Sequence, residues 1–258
     1  MQIVELLTPA YEAAWLPWAV QYFFFIGIAA TSALTVAGLT LFARNSRAAS
    51  MLMPAAVVVL AISVIAAPVS LLADLHQPGR FWHFYAHFTP SSWMSIGAYL
   101  LPIFIILSLA MCMTWWFGLI DVLRIISILM IPSALSILAY TGLEVMVVRS
   151  RPLWNTFFLP LNFALTGWMS ALGAMLLISR WLSPQLTSES TAILRKLSLV
   201  SVVLLIISAV LWVIFGTLGL DYSFNSAVRL FELFPVWRIS VYGSVLAGFL
   251  VFVLLLRS

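Results

Sequence analysis

Long apolar runs alternate with short polar connections along almost the whole chain. The runs fall at Trp15 to Ala43, Met51 to Ala73, Trp93 to Phe117, Val122 to Val148, Thr156 to Ser179, Leu197 to Gly219 and Ile239 to Leu256. Each approaches or exceeds the ~20 residues that a helix needs to cross a hydrocarbon core about 30 Å thick. None alternates apolar and polar residues as a membrane strand does, and a backbone in lipid has to satisfy its own hydrogen bonds, so the pattern predicts helices. The expected fold is an all-α polytopic membrane protein, a bundle of seven transmembrane helices with an eighth left open. Residues 1–258 form a single integral membrane domain, with 1–14 an outer N-terminal segment and 74–92 and 220–238 the longest connections, both on the outer side. Pro54, Pro68, Pro102, Pro132 and Pro160 lie inside the runs and are expected as kinks.

Composition agrees with the pattern. Apolar residues make up 64% of the chain and charged residues 8%, against about 45–50% and about 25% in soluble domains, which excludes a soluble enzyme, a disulfide scaffold and a disordered chain. The 12 basic and 8 acidic residues are scattered between the runs, so no stripe could follow a nucleic-acid backbone. One cysteine, Cys112, supplies neither a disulfide nor a zinc or iron–sulfur ligand set. Any redox centre is therefore expected in another subunit. The first residues lack a basic n-region and an apolar h-region, so a cleaved signal peptide is not expected. With the N-terminus periplasmic and the C-terminus cytoplasmic, seven basic residues (Arg44, Arg47, Arg124, Arg180, Arg195, Lys196, Arg257) fall inside and five (Arg80, Arg149, Arg151, Arg229, Arg238) outside. The positive-inside bias favours that orientation.

Ionisable side chains within a span are expensive and mark functional sites by default. Glu144 is the clearest, with Tyr140 one helical turn before it on the same face of the fourth span. Tyr22 and Gln21 lie at a similar outer depth on the first span, Asp74 closes the second ahead of His76 and Arg80, and Asn155 and Asn162 belong to the fifth. Each has a plainer reading: Asp74 paired with Arg80, Glu144 paired with Arg149 or Arg151, Tyr and Gln as helix-packing residues. Taken together they suit a flat molecule with carbonyls at two ends and an apolar tail. Tyr and Gln can donate to a quinone oxygen, and an acid can carry the accompanying proton. His76, His83 and His87 all fall in one connection, so two facing helices cannot hold a haem between two imidazoles. His83 and His87 have no third ligand nearby, and no metal site is expected.

Two stretches carry a family resemblance. AYTGLEVMVVRSRPLWNTFFLPLNFALTGWMSALG, from Ala139 to Gly173, resembles the signature region of NrfD/PsrC-type membrane subunits of polysulfide reductase and its relatives. In that family a Tyr-x-Gly turn of helix precedes Arg-Pro-Leu-Trp-Asn. ADLHQPGRFWHF, followed by TPSSWMSIGAYLL and spanning Ala73 to Leu101, resembles the family's acid-Leu-x-x-Pro-x-Arg-Phe loop and Ser-Trp-Met-Ser helix start. The similarity covers most of the chain up to about Leu220 and is weak beyond it.

The resemblance implies a membrane anchor in the bacterial inner membrane, without haem or iron–sulfur cluster of its own. Menaquinone or ubiquinone would be its exchangeable substrate. Its partners would be an iron–sulfur, ferredoxin-like subunit and, behind it, a molybdopterin catalytic subunit on the outer face. Residue by residue, the family's quinone-binding Tyr matches Tyr140, the acid at the end of the second helix matches Asp74, and Arg-Pro-Leu-Trp-Asn matches Arg151 to Asn155. Where relatives place a His on the first helix, this chain offers Tyr22 with Gln21 beside it. Relatives commonly have eight spans, against the seven counted here.

The expected function is the quinol-oxidising subunit of a respiratory oxidoreductase. Tyr140, Tyr22 and Gln21 would hold the headgroup, Asp74, His76 and Glu144 would carry protons, and Arg80, Arg151, Trp154 and Asn155 would shape the rim and partner interface. A proton-translocating subunit or transporter without quinone chemistry is the alternative.

Overall fold

A computed structural model describes residues 17–43, 46–75, 78–148, 151–182 and 188–257. Seven helices are long and apolar enough to cross a membrane: α1 (Pro17–Phe42), α2 (Arg47–Asp74), α4 (Trp93–Trp116), α5 (Ile120–Met146), α6 (Phe158–Leu182), α7 (Ser188–Thr217) and α9 (Pro235–Arg257). A single-turn helix, α3 (His83–Ala86), lies between α2 and α4, and a twelve-residue helix, α8 (Tyr222–Leu233), between α7 and α9. No strand occurs among the described residues. The chain is a helical polytopic membrane protein.

The ends of these helices follow from local sequence. Ser46 caps α2 by accepting a hydrogen bond from the Ala49 amide at 3.4 Å. Gly118 and Gly219, at φ 69° and 74°, end α4 and α7 in the left-handed conformation that a glycine reaches without strain. At both ends two amides fold back onto the last turn. Leu119 reaches the Thr114 carbonyl and Gly118 that of Trp115, while Leu220 reaches Phe215 and Gly219 reaches Gly216.

Three expectations change in detail. Pro160 sits at the third residue of α6, in the first turn, where a helix needs no amide donor from it; it starts a helix rather than kinking one. Helix α7 begins nine residues before the apolar run at Leu197, because Ser188 to Lys196 is polar yet helical and continues the helix past its apolar part. The connection over 220–238 contains helix α8, too short at about 18 Å to cross the membrane.

Small residues let the central helices approach closely. Ala29, Ala30, Ala33 and Ala37 of α1 and Ala48, Ala55, Ala56 and Ala67 of α2 are buried, and these two helices form the most extensive pair in the bundle. Where α1 crosses α6, a Cβ on Gly167 would stand 3.0 Å from the backbone of Gly27, and the Thr31 hydroxyl donates to the Gly167 carbonyl at 3.2 Å. Helices α2 and α5 also pack on α1, with α4 packed on both of them, whereas α9 packs mainly on α7 and α8.

Asp221 ties the α7–α8 corner to the start of α6. Its carboxylate caps α8 by accepting from the Ser223 amide at 2.8 Å and from the Ser223 hydroxyl at 2.6 Å, and its other oxygen accepts from the Thr156 hydroxyl. Trp212 Nε1 donates to Ser223 Oγ at 2.8 Å, and Thr156 Oγ1 accepts from the Phe158 amide. Asp221→Ala removes a cap and leaves two hydroxyls short of an acceptor, so it is expected to lower stability by about 2 kcal/mol. Asp221→Asn, which still accepts at the cap, should lose less. Thermal unfolding of the two variants in detergent checks this; equal midpoints for wild type and Ala would refute it.

Candidate functional site

Helices α1, α4 and α6 start, and α2 and α5 end, at one face of the bundle. Just beneath that face is a cavity of about 330 Å³. Its walls are stripes at helical spacing. Pro68, Leu71, Leu72 and Leu75 come from α2 and its end, and Met94, Gly97, Ala98, Leu101, Pro102, Ile105 and Ile106 from α4. The connection between them contributes Phe81, Phe84 and Tyr85 as a roof. The Tyr99 hydroxyl donates to the Tyr85 carbonyl at 3.1 Å and stays the roof on α4.

Apart from Tyr85 in the roof, three polar side chains interrupt this apolar lining: Tyr22 from α1, and Tyr140 and Glu144 from α5. Tyr22 and Tyr140 are 4% and 5% exposed, so their hydroxyls depend on the protein or a bound molecule for partners. Tyr140 and Glu144 are in polar contact, and Tyr22 is near enough to interact electrostatically with both. The Tyr140 ring lies against Gly97, where any Cβ would collide with the phenol, and tilts 39° against Trp93 at 6.4 Å between centroids. A glycine at that point of α4 therefore sets the position of the phenol.

The cavity is oblong and graded in polarity. Tyr22, Tyr140 and Glu144 all lie within about 10 Å of the helix ends at that face. The arm along α4 reaches Ile106, about 20 Å down from Trp93, and is apolar throughout. Leu72, Met94 and Ile106 are also exposed on the outer surface of the bundle, so the space between α2 and α4 opens sideways.

The structure thus brings together Tyr22, Tyr140 and Glu144 of the expected site residues. Gln21 is exposed and outside the lining, since one residue's step turns it about 100° around α1 from Tyr22. Asp74 ends α2 and Arg80 lies in the exposed connection, and neither lines the cavity. His76 lies outside the described residues, as does Arg149. Arg151, Trp154 and Asn155 sit in the connection from α5 to α6, away from this cavity. The ion pair found among the described residues is Arg124–Asp121 at 3.3 Å. Neither Asp74 with Arg80 nor Glu144 with Arg151 forms one. No group of three or more potential metal ligands occurs among the described residues.

Sequence reasoning missed the walls: the two leucine and isoleucine stripes, Gly97 and the aromatic roof. The roof had a signal in the aromatic density from Phe81 to Phe88. The stripes had none, because both helices are apolar all round.

The family model described as polysulphide reductase, NrfD, matches residues 6–257. The match continues well past Leu220, where the motifs fade. A subunit of the tetrathionate reductase of Salmonella typhimurium is 39% identical over 188 residues, covering 69% of this chain and 53% of that protein. The chain thus spans about half the length of that curated relative.

Proposed function

We propose, from the premise that this chain belongs to the NrfD polysulphide reductase family, that its cavity between α1, α2, α4 and α5 binds a lipid-soluble quinol and that the subunit passes the electrons to a partner. The observation carrying this reading is the polarity gradient of one cavity. Three polar groups from two helices gather at its end nearest the surface, and an apolar arm open to the lipid runs away from them. A headgroup with oxygens at both ends and an isoprenoid tail has that same distribution. At about 330 Å³ the space falls within the ~300–1,000 Å³ usual for small-molecule sites.

The three residues divide the work by chemistry. The Tyr140 and Tyr22 hydroxyls donate to, or accept from, the oxygens of the bound ring and fix its plane. Glu144, in contact with Tyr140, takes up the two protons of the ring one after the other, releasing the first to the aqueous side before it accepts the second. A bound quinol supplies two electrons and two protons. The apolar walls keep water from the ring, and the aromatic roof separates it from the aqueous side. The electrons then leave to a partner seated over that roof, on this reading an iron–sulfur subunit that feeds a molybdopterin reductase subunit; the name of the relative, a subunit of a tetrathionate reductase, denotes a reductase of several subunits. The bacterial inner membrane, with α1 starting on the periplasmic side, is the setting this reading requires. A proton path through both Glu144 and Asp74 has less support, because Asp74 is not in the cavity lining.

A photoactivatable ubiquinone analogue tests the reading. On irradiation with the purified full chain, adducts are expected on the α2 stripe from Pro68 to Leu75 or the α4 stripe from Met94 to Ile106. Adducts confined to α6, α7, α8 or α9, none of which lines the cavity, would overturn it. A finer expectation concerns Gly97→Ala, which puts a methyl group where the Tyr140 phenol lies. Quinol affinity should fall about tenfold, since small displacements of positioning groups are costly. Titration of the variant with quinol, beside a circular dichroism check of helicity, decides it.

A further inference from the structure

A second concavity, of about 350 Å³, lies on the opposite side of α1, in the cleft between α1 and α6. The crossing at Gly27 and Gly167 brings the two backbones together and closes its lower part. Above that crossing Val20, Phe23 and Phe24 of α1 with Val145 of α5 form one wall and Leu159, Phe163 and Thr166 of α6 the other, while Ser170 lies one turn below it. Val20 and Phe24 are 67% and 52% exposed, so the long side is open to lipid. From Leu159 to the crossing at Gly167 the groove runs about 12 Å along α6, most of the ~15 Å depth of one leaflet's hydrocarbon.

Its lining offers little to a polar headgroup at depth. The Thr166 hydroxyl is already spent on its own helix, donating to the Asn162 and Phe163 carbonyls at 2.7 and 3.2 Å. Polarity is concentrated at the rim. Trp154 lines the groove there, and the Arg151 guanidinium lies over the indole ring at 5.5 Å from its centroid. Arg151 is exposed and forms no ion pair with a carboxylate among the described residues. A cation held at the membrane surface beside an apolar slot one acyl chain deep is complementary to an anionic phospholipid, phosphate against Arg151 and chain along α6.

We infer that the α1–α6 groove is a binding site for an anionic membrane phospholipid of the leaflet at which α1 begins, with Arg151 and Trp154 holding the headgroup. This site is separate from the polar cavity: Tyr22 faces that cavity and Phe23 and Phe24 face this groove. The lipid fills the cleft above the helix crossing and fixes the connection that carries Arg151.

The test uses the purified full chain in mild detergent, with dioleoyl phosphatidylglycerol and dioleoyl phosphatidylcholine as probes that differ in headgroup alone. Native mass spectrometry is expected to show one phosphatidylglycerol retained about fivefold more tightly than phosphatidylcholine, the size of effect one interfacial basic residue supplies. Arg151→Gln should erase that preference while leaving weak binding of both lipids. Thr166→Phe, at an exposed position facing the groove, should weaken both equally. Thermal unfolding should show the wild type stabilised by phosphatidylglycerol and not by inorganic phosphate. Equal affinity of the two lipids for wild type, or an unaltered preference in Arg151→Gln, overturns the inference. So does a phosphate effect matching that of the lipid, which would leave the groove no role. Displacement of the retained lipid by decylubiquinone would mark the groove as a carrier site and overturn it as well. Because the Arg151 substitution lies in the surface connection, its result does not depend on how α6 tolerates the Thr166 variant.

Discussion

Glu144→Gln is expected to lower quinol-dependent turnover about a hundredfold, within the range for loss of a positioned proton acceptor. Glutamine keeps the shape of the carboxylate and can still meet the Tyr140 hydroxyl, so the cavity should persist and quinol should still bind. What disappears is the site that takes up the proton. An acceptor must be ionised to work, so wild-type turnover should rise with pH along its acidic limb; in the variant that limb should flatten. The measurement is quinol oxidation by the native complex across a pH series, with an artificial electron donor as a control that bypasses the cavity. If both activities fall together and the complex fails to assemble, Glu144 is a structural residue and the proton role is refuted.

Tyr140→Phe should act on binding as well as on rate. Removing one hydroxyl that meets a carbonyl oxygen inside a water-poor site costs about 1–2 kcal/mol, or about five- to thirtyfold in kcat/KM for quinol. The ring remains in place against Gly97 and Trp93, so assembly and donor-bypass activity should be unchanged. Since Tyr140 also touches Glu144, the double variant should lose less than the product of the two single losses. Unaltered quinol kinetics in Tyr140→Phe would remove this residue from the site.

Much of this arrangement was legible in the chain. The seven spans follow from the length of the apolar runs, and all seven are found as helices. Tyr140 and Glu144 stand out because a polar pair one turn apart in an apolar helix has to face something other than lipid, and both line the cavity. Gln21 and Asp74 were harder to place. Each lies one residue from a cavity residue, Tyr22 or Leu75, and that single step moves a side chain to another face. The walls were illegible for a different reason. In a soluble helix polarity marks the outward face; here the face toward lipid and the face toward the bundle are equally apolar, so no stripe in α2 or α4 is distinguished from its neighbours. The weakness of the motifs beyond Leu220 also has a physical reading. Helices α8 and α9 supply nothing to the cavity, and α9 is almost wholly exposed, so hydrophobicity is the main demand on its residues.

The aromatic connection from Phe81 to Tyr85 gives the cavity a ceiling a single side chain thick. Anything resting on those rings from the water side shares a partition with whatever lies beneath. Docking and occupancy are thereby coupled without any long-range motion: a neighbour that presses Phe84 inward narrows the chamber, and a guest that lifts the ring reshapes the landing surface. An antibody fragment raised against this loop should therefore act as an inhibitor of the carrier's entry, even though it never touches a transmembrane residue.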